Sequence, residues 1–156
     1  MPIHIRLADP QSAPIRQLIQ THIAYGEAAY PSESNHHLTP EDIAQSDVML
    51  FAAWEDETCL GMLGLSRFGG SDGEVKSMHV IEAARGRGVA AELLDFVVEN
   101  AQREGLDQLF LETGSREASA AARRLYERFG FEYCAPFGNY KVDPESVFMK
   151  LTVPQT

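Results

Sequence analysis

The segment Arg85-Gly86-Arg87-Gly88-Val89-Ala90 decides the fold, because it joins a strand ending in Met78-His79-Val80 to the most regular helix of the chain. Beyond it, apolar residues recur at helical spacing at Ala90, Leu93, Leu94, Val97, Val98 and Ala101. This pattern predicts an amphipathic helix that ends at Gly105. A short apolar strand, Leu109–Leu111, follows. The order strand, glycine-rich turn, helix, strand predicts a crossover over Glu74–Leu111 between two parallel strands.

The glycine-rich turn also has the chemistry of an anion site. Backbone N–H groups at a helix N-terminus attract negative charge, and Gly86 and Gly88 let a ligand approach the backbone closely. We therefore interpret the turn as a cradle for a nucleotide-like pyrophosphate. Neither common phosphate fingerprint fits, since the P-loop pattern and a third glycine at Gly-x-Gly-x-x-Gly spacing are both absent. A plain glycine-containing turn with surface arginines is the alternative.

The N-terminal half predicts one strand, two helices and three further strands. Ile3, Ile5 and Leu7 alternate with polar residues as in a strand, and Asp9-Pro10 has the pattern of a helix start. Thr39-Pro40-Glu41-Asp42 predicts a short capped helix. The apolar runs Val48–Trp54 and Leu60–Phe68 predict a hairpin, and Glu74–Val80 predicts the strand that follows it.

The C-terminal third completes an α+β order. A helix is predicted from the spacing of Ala118, Ala121, Ala122, Leu125 and Phe129, closed by Gly130. Phe131–Cys134 and Val147–Leu151 predict two last strands. The whole chain therefore predicts one mixed, mostly antiparallel sheet of about seven strands, with about four helices on its two faces.

The composition is that of an ordinary globular chain, with 44% hydrophobic residues among 156. The 13 Lys and Arg against 23 Asp and Glu give a net charge of −10. This balance disfavours a nucleic-acid backbone or an anionic membrane as partner and is compatible with an amine-bearing one. Cys59 and Cys134 lack metal-ligand spacing, and the N-terminus lacks the pattern of a signal peptide. We expect a single domain over residues 1–156, in the cytoplasm, without a bound metal.

Two segments together resemble the GCN5-related N-acetyltransferases. Arg85–Ala90 resembles that family's acetyl-CoA pyrophosphate loop, and Leu125-Tyr126-Glu127-Arg128-Phe129-Gly130-Phe131 resembles its LYxxxGF segment. Both occur in the family's order and spacing, and the resemblance covers essentially the whole chain. Four shorter segments are similar to the EIKSM, LETGS, PFGxY and SVFM segments of a bacterial branch of small acetyltransferases: Glu74–Met78, Leu111–Ser115, Pro136–Tyr140 and Ser146–Met149.

The resemblance implies acetyl-CoA as co-substrate, in a V-shaped gap between the parallel strands Glu74–Val80 and Leu109–Thr113. Backbone groups of Met78 and Val80 then pair with the pantetheine arm like an added strand, and the thioester lies near Met78. His79 and Thr113 are further cofactor-binding candidates. At His79-Val80 many members of the bacterial branch carry Arg-Thr, so the acyl-chain or substrate preference stays open. The pyrophosphate is expected on Arg85, Gly86, Arg87, Gly88, Val89 and Ala90.

The resemblance also implies two catalytic residues. Tyr126 corresponds to a tyrosine that protonates the departing CoA thiolate, and a phenol with a pKa of about 10 is protonated at neutral pH. Glu74, which lies 11 residues before Arg85, corresponds to the general-base glutamate of the histone-acetylating branch. A carboxylate there removes the ammonium proton directly or through water. The alternatives are a core aromatic residue for Tyr126 and a charged strand terminus for Glu74.

Three further residues are candidates for binding the acceptor. Lys76 lies two residues after Glu74, on the same strand face if no bulge intervenes, and either binds a substrate carboxylate or pairs with Glu74. Tyr140 either closes the acceptor pocket or packs on Phe137. His37 lies in the loop where related enzymes build the acceptor wall, and a solvated loop residue is its alternative.

The sequence therefore predicts an acetyl-CoA-dependent N-acyltransferase in which the amine of a small molecule or peptide attacks the thioester directly. A small amine that also bears a carboxylate is one version of the acceptor. Two alternatives stay open, namely a non-catalytic acyl-CoA-binding regulatory module, and an O-acyltransferase or an enzyme with another acyl-CoA donor. The oligomeric state stays open between a monomer and a homodimer.

Overall fold

The computed structural model describes residues 2–155, which contain one mixed sheet and four α-helices. The strands are β1 (His4–Leu7), β2 (Met49–Glu55), β3 (Thr58–Phe68), β4 (Asp72–Val80), β5 (Gln108–Gly114), β6 (Glu132–Cys134) and β7 (Ser146–Thr152). The helices are α1 (Ala13–Ala29), α2 (Pro40–Gln45), α3 (Val89–Arg103) and α4 (Ala120–Arg128). The strand order is β1-β2-β3-β4-β5-β7-β6, with β4 and β5 the parallel neighbours and the other neighbours antiparallel. The predicted mixed α+β sheet is thus confirmed.

Two apolar clusters place helices on both faces of the sheet, as the pattern predicted. On one face, Leu93, Leu94 and Val97 of α3 pack with residues of β3, β4 and β5, and α4 adds Leu125 and Tyr126. On the other face, residues of α1 and α2 pack on β2 and β3. The alternation of side chains along β3 supplies both clusters, since Met62 belongs to the second and Leu63 to the first.

The sheet splits between β4 and β5. The two strands pair only over Asp72–Val75 and Gln108–Leu111. Beyond that point β4 stays with β3 as far as the Gly61–Val80 pair, and β5 stays with β7 as far as the Gly114–Ser146 pair. The register of β4 also shifts between Lys76 and His79, where Ser77 has a φ of 59°. This bulge bends β4 away from β5 and opens a V-shaped gap.

Several element boundaries differ from the sequence prediction. The first helix begins after Ser12 and not at Asp9-Pro10. The carboxylate of Asp9 accepts a hydrogen bond from the N–H of Gln11 at 2.9 Å, so the Asp-Pro pair forms a turn, and Pro14 takes the first-turn position instead. The same helix ends at Ala29.

Two boundaries near the sheet also moved. The hairpin strands extend to Glu55 and begin again at Thr58, so the turn is only two residues long. The strand expected to open at Glu74 begins at Asp72, which makes Glu74 an interior residue of β4 and not its terminus. The short helix α2 has the predicted capping box between Thr39 and Asp42. In the described residues, no helix has the length and apolarity needed to cross a membrane.

Candidate active site

The gap between β4 and β5 forms a cleft of about 220 Å³. Its walls come from α1, the loop before α2, the ends of β4 and β5, and α4. The sequence-predicted site residues that line it are Glu74, Lys76, Met78, His79, Thr113, Tyr126, Tyr140 and His37. Acceptor candidates and part of the cofactor-binding set therefore meet in one space, whereas Val80 and the predicted pyrophosphate segment Arg85–Ala90 are not among the residues that line it.

The start of α3 has the geometry of an anion cradle. Gly88 is the N-cap of the helix with a φ of 80°, and Gly86 has a φ of 82°. A Cβ built on either glycine meets nothing within 4 Å, so the space in front of both is open. Within residues 2–155, no side chain caps the helix. The N–H groups of its first turn are thus left for an external acceptor, and the turn fits a diphosphate.

The other residues of the predicted cradle have unequal roles in the structure. Val89 is buried in the core, so only its backbone faces the ligand side, and Ala90 is partly buried. The Arg87 guanidinium pairs with Glu55 at 2.5 Å, and the backbone N–H of Arg87 donates to the carbonyl of Ala84 at 3.3 Å. Exposed ion pairs contribute little, so Arg87 can exchange Glu55 for a phosphate. The guanidinium of Arg85 lies 5.7 Å from the Tyr25 ring centroid, beside the cleft.

The strand β4 beyond its bulge has a free edge on the cleft side. Met78 and Val80 lie in this part of the strand, where β3 is the neighbour on one side and β5 has already diverged. An extended amide-bearing arm can add to such an edge as a strand does. Thr113 lies across the gap on β5, opposite Val147 of β7.

Tyr126 projects from α4 to the end of β4. Its hydroxyl donates to the sulfur of Met78 at 3.6 Å, and the residue is only 5% exposed. Burial, and then the nearby Glu112 carboxylate, raise the pKa of Tyr126 above its usual value. The phenol is therefore protonated across the neutral range, next to the place where the resemblance puts the thioester.

His79 forms a histidine pair that the sequence did not indicate. Its Nδ1 lies 3.1 Å from Nδ1 of His22 in α1, and the Tyr25 ring packs edge-on against it. Burial and then Arg85 lower the pKa of His79. Burial, followed by His79 and His37, lowers the pKa of His22 to about 4. The wall of the cleft on the α1 side is therefore a neutral imidazole pair at physiological pH.

Glu74 is held by two partners from the acceptor side. The Tyr140 hydroxyl donates to Oε2 at 2.5 Å, and Nζ of Lys76 lies 3.5 Å from Oε1. Lys76 and Glu74 share a strand face because the bulge begins only after Lys76. Burial and the Glu74 carboxylate raise the pKa of Tyr140, so it remains a donor. Tyr140 also packs edge-on against Phe137 at 5.0 Å. It therefore both lines the cleft and packs on Phe137, and the two interpretations do not exclude each other.

The two loop histidines differ. His36 is exposed, and its ring packs edge-on against Tyr140 at 5.1 Å. His37 lines the cleft, and its buried Nδ1 has no hydrogen-bond partner in the structure. In residues 2–155 no group of three or more His, Cys, Asp or Glu side chains is arranged as a metal site.

The cleft contains a second carboxylate that the sequence did not single out. Glu112 lies on β5 just past the split, and burial is the main cause that raises its pKa, with Glu74 adding to the effect. Phe110 pairs with Glu74, so Glu112, two residues further along β5, shares a sheet face with Glu74. Only the strand register reveals this placement.

Tyr30, which caps the end of α1, forms part of the cleft wall. The Tyr30 hydroxyl lies 2.8 Å from Oγ of Ser119 and accepts from the N–H of Arg116 at 3.0 Å. A Cβ on Gly114 would lie 1.9 Å from that hydroxyl, so glycine is required for the contact. No sequence pattern predicts this contact, because its partners lie more than 80 residues apart.

Comparisons with known proteins agree with this geometry. The model of the acetyltransferase (GNAT) family matches residues 15–131. The chain is 36% identical over 147 residues to the uncharacterized N-acetyltransferase YsnE of Bacillus subtilis, covering 94% of this chain and 97% of that one. It is also 36% identical over 150 residues to the IAA acetyltransferase of Azospirillum brasilense, covering 95% of this chain and 96% of that one.

A solved structure shares the fold. The yncA protein of Salmonella typhimurium, solved with its cofactor acetyl-CoA, is 21% identical and superposes with a TM-score of 0.72, covering 97% of this chain and 94% of that one. The family resemblance and the acyltransferase class expected from the sequence are confirmed. The chain belongs to the acetyltransferase (GNAT) family, and it is an N-acetyltransferase with acetyl-CoA as its co-substrate.

Proposed function

We propose that this enzyme acetylates the primary amine of a small acceptor by direct attack on the thioester, with Glu74 as general base and Tyr126 as general acid. The observation that carries the proposal is the meeting of these two side chains in one cleft at the split of the sheet. Glu74 belongs to β4 before its bulge and Tyr126 reaches the same strand after it. A base for the amine and an acid for the leaving group are thus available at one point.

Glu74 suits the removal of a proton from an incoming ammonium. Its side chain is 12% exposed, so it is reachable while water is largely excluded. The hydrogen bond from Tyr140 fixes one carboxylate oxygen, and the other faces Lys76 at the edge of hydrogen-bond distance. A carboxylate that accepts the ammonium proton, directly or through one water, leaves the neutral amine that attack requires.

Tyr126 suits the other end of the reaction. When bound, acetyl-CoA supplies an acetyl group activated as a thioester. The amine lone pair forms a bond to the acetyl carbon, the carbon–sulfur bond breaks, and its electron pair leaves with sulfur. The Tyr126 phenol then gives its proton to the sulfur of CoA. In the structure the same hydroxyl donates to another sulfur, that of Met78, at the end of β4. The nitrogen releases a second proton as the amide forms, and this proton restores the Tyr126 phenol. The products are the N-acetyl amide and the CoA thiol.

The cofactor side of the proposal rests on backbone groups. The N–H groups of Gly88, Val89 and Ala90 bind the diphosphate, with Arg85 and Arg87 beside it, and the free edge of β4 at Met78 and Val80 binds the arm. The open space in front of Gly86 and Gly88 supports this placement. His79 and Thr113 then flank the arm from the two strands.

The test measures CoA-thiol release from acetyl-CoA over amino acids, polyamines, amino sugars and peptides, followed by a pH profile of Glu74→Gln on the best acceptor. We expect kcat/KM of Glu74→Gln to fall most near neutral pH, where the ammonium form of the acceptor dominates, and to recover partly at higher pH. The matched control is Glu57→Gln, an exposed residue of the β2–β3 turn, which should follow the wild-type profile. A deficit that is the same at every pH would remove Glu74 from the base role.

The same screen addresses the alternative reactions. Mass spectrometry of the product distinguishes an amide from an ester, and replacing acetyl-CoA by longer acyl-CoA donors tests the donor range. Acetyl transfer to a hydroxyl in preference to an amine would favour an O-acetyltransferase. The cytoplasmic location and the homodimer stay predictions.

A further inference from the structure

A second cavity of about 630 Å³ adjoins the cleft. It shares four residues with the cleft, namely His36, Glu74, Lys76 and Tyr140. These four residues therefore stand where the two spaces join. An acceptor that occupies the second cavity presents its reacting group to Glu74 at this junction, with the thioester on the other side.

The inner wall of this cavity is aromatic. Phe68 and Phe137 line it with their rings stacked 5.6 Å apart, and Tyr140 packs edge-on against Phe137. Phe110 and Phe148 lie against Phe137 at 5.1 and 5.9 Å and support it. Phe137 is nevertheless only partly buried, so it offers ring surface to the cavity. Such walls favour an aromatic or other large apolar group by burial and ring packing.

The charges at the junction come as a close opposite pair. Nζ of Lys76 and Oε1 of Glu74 are 3.5 Å apart, and the two side chains are 22% and 12% exposed. This separation lies at the outer limit of a hydrogen bond, so Lys76 can turn to another acceptor. An α-amino acid carries an ammonium and a carboxylate on one carbon. Its ammonium can face Glu74 while its carboxylate faces Lys76.

A lysine in this position would also disfavour other amines. An amine without a carboxylate meets the like charge of Lys76 beside Glu74, and like charges in a partly desolvated site repel. A polyamine would meet it together with Lys141, which lines the same cavity. Glu33 and Asp143 line that cavity too, but Asp143 already accepts a hydrogen bond from Ser34 at 2.7 Å.

We infer that the acceptor is an α-amino acid with an aromatic or large apolar side chain, whose carboxylate binds Lys76 and whose side chain lies against Phe68 and Phe137. The inference rests on the proposed function, because it assumes that the amine meets Glu74. It adds the substrate class and gives Lys76 the role of a specificity-determining residue.

The experiment compares acceptors that differ in one group. L-Phenylalanine carries all three features, phenethylamine lacks the carboxylate, L-alanine lacks the ring, and spermidine lacks both. Each of the other three acceptors lacks the charged hydrogen bond to Lys76, the buried ring, or both. We therefore expect kcat/KM for L-phenylalanine to exceed that of the other three by about tenfold or more. Equal turnover of phenethylamine and L-phenylalanine would overturn the inference while leaving amine acetylation intact.

Two variants localise the effect. Lys76→Met should raise KM for L-phenylalanine by about tenfold or more and leave phenethylamine unaffected or improved, since a lost carboxylate contact acts on ground-state binding. Phe137→Leu keeps an apolar side chain but removes the ring, so it should lower kcat/KM for L-phenylalanine more than for L-alanine. If Lys76→Met lowers turnover of every acceptor alike, together with the melting temperature, Lys76 is a structural partner of Glu74 and the inference fails. If no amine releases CoA thiol, the proposed function itself fails.

Discussion

The cofactor side and the acceptor side of the cleft are built in different ways. On the cofactor side, one stretch from Met78 to Ala90 contains the free strand edge, the glycine turn and the start of α3. On the acceptor side, Glu74 on β4, His36 in the loop after α1, Phe68 on β3 and Tyr140 in the loop before β7 come together from four separate parts of the chain. The first side consists mostly of backbone groups and the second mostly of side chains.

This difference decides what each side can recognise. Backbone N–H groups at a helix N-terminus bind a diphosphate whatever the neighbouring side chains are, so this side indicates the class of reaction. The acceptor side gains its selectivity from the positions of a few charges and rings, which depend on long-range contacts such as Tyr140 to Glu74. Substitutions on the two sides should therefore affect different constants.

The largest effect is expected at Tyr126, where the two sides meet. Tyr126→Phe keeps the ring that packs against Phe131 but removes the hydroxyl, so kcat should fall by roughly 10²–10⁴-fold, the usual range for general-acid catalysis. Acetyl-CoA affinity should change little. Steady-state kinetics and calorimetry on the same preparation give both quantities.

Tyr133→Phe serves as the control for this substitution. Tyr133 is 52% exposed on β6, outside the cleft, and Glu127 is the only partner of its hydroxyl among the described residues. Its removal should leave kcat unchanged. Turnover near the wild-type value in Tyr126→Phe would assign Tyr126 to the core and not to the chemistry.

The next effect tests the backbone nature of the cofactor side. Gly88→Val puts a branched side chain into the open space in front of the helix start, so the dissociation constant for acetyl-CoA should rise by about tenfold or more. The matched control is Gly105→Val at the other end of α3. Gly105 has a φ of 73° against 80° at Gly88, and a Cβ there also meets nothing within 4 Å.

Both variants introduce the same kind of backbone strain, but only Gly88 lies where we expect the diphosphate to bind. Each should lose about 1–2 kcal/mol of stability, because a left-handed φ is costly for a residue with a Cβ. Calorimetry should show weaker acetyl-CoA binding in Gly88→Val alone. Equal affinity in two folded variants would place the diphosphate elsewhere.

The same difference explains how far the sequence could be interpreted. The period of the apolar residues in α3, the glycine turn and the strand before it are local, and local patterns predicted the helices and the strands. The split between the two parallel strands is implied by the family resemblance instead. The predicted helix boundary was wrong where a side chain competed with the helix for backbone N–H groups. The carboxylate of Asp9 accepts a hydrogen bond from the N–H of Gln11, and α1 therefore begins later than predicted.

The site was predictable to the extent that its residues lie in local motifs. Tyr126 and Glu74 could be named from short segments, and the structure puts both in the cleft. The imidazole pair of His22 and His79 could not, because its members are 57 residues apart and only the packing of α1 on β4 joins them. Glu112 was missed because a lone glutamate in a strand carries no pattern of its own.

The smallest effect is expected from the pair of His22 and His79, a contact between side chains on the cofactor side of the cleft. The quantity that it should change is the stability of the fold. The folded-state pKa of His22 is about 4, whereas an unperturbed histidine titrates near 6.5. The native state therefore binds fewer protons than the unfolded state between these values. Stability contributed by the neutral ring is complete above about pH 6.5 and is lost as the pH falls toward 4.

His22→Asn removes this titration and retains a short polar group near Nδ1 of His79. Between pH 7.5 and pH 5 the wild type should lose on the order of 1–2 kcal/mol more than the variant, or roughly 2–8 °C of melting temperature. Carboxylates weaken both proteins equally, so the difference between the two melting curves isolates the ring. Acetyl-CoA affinity at pH 7.5 should be the same in both, because backbone groups dominate its binding. If the melting temperatures of the two proteins fall in parallel across this range, His22 is not held neutral by the fold. If the variant binds acetyl-CoA more weakly, side chains contribute to the cofactor side of the cleft, and this side is not built mainly from backbone groups.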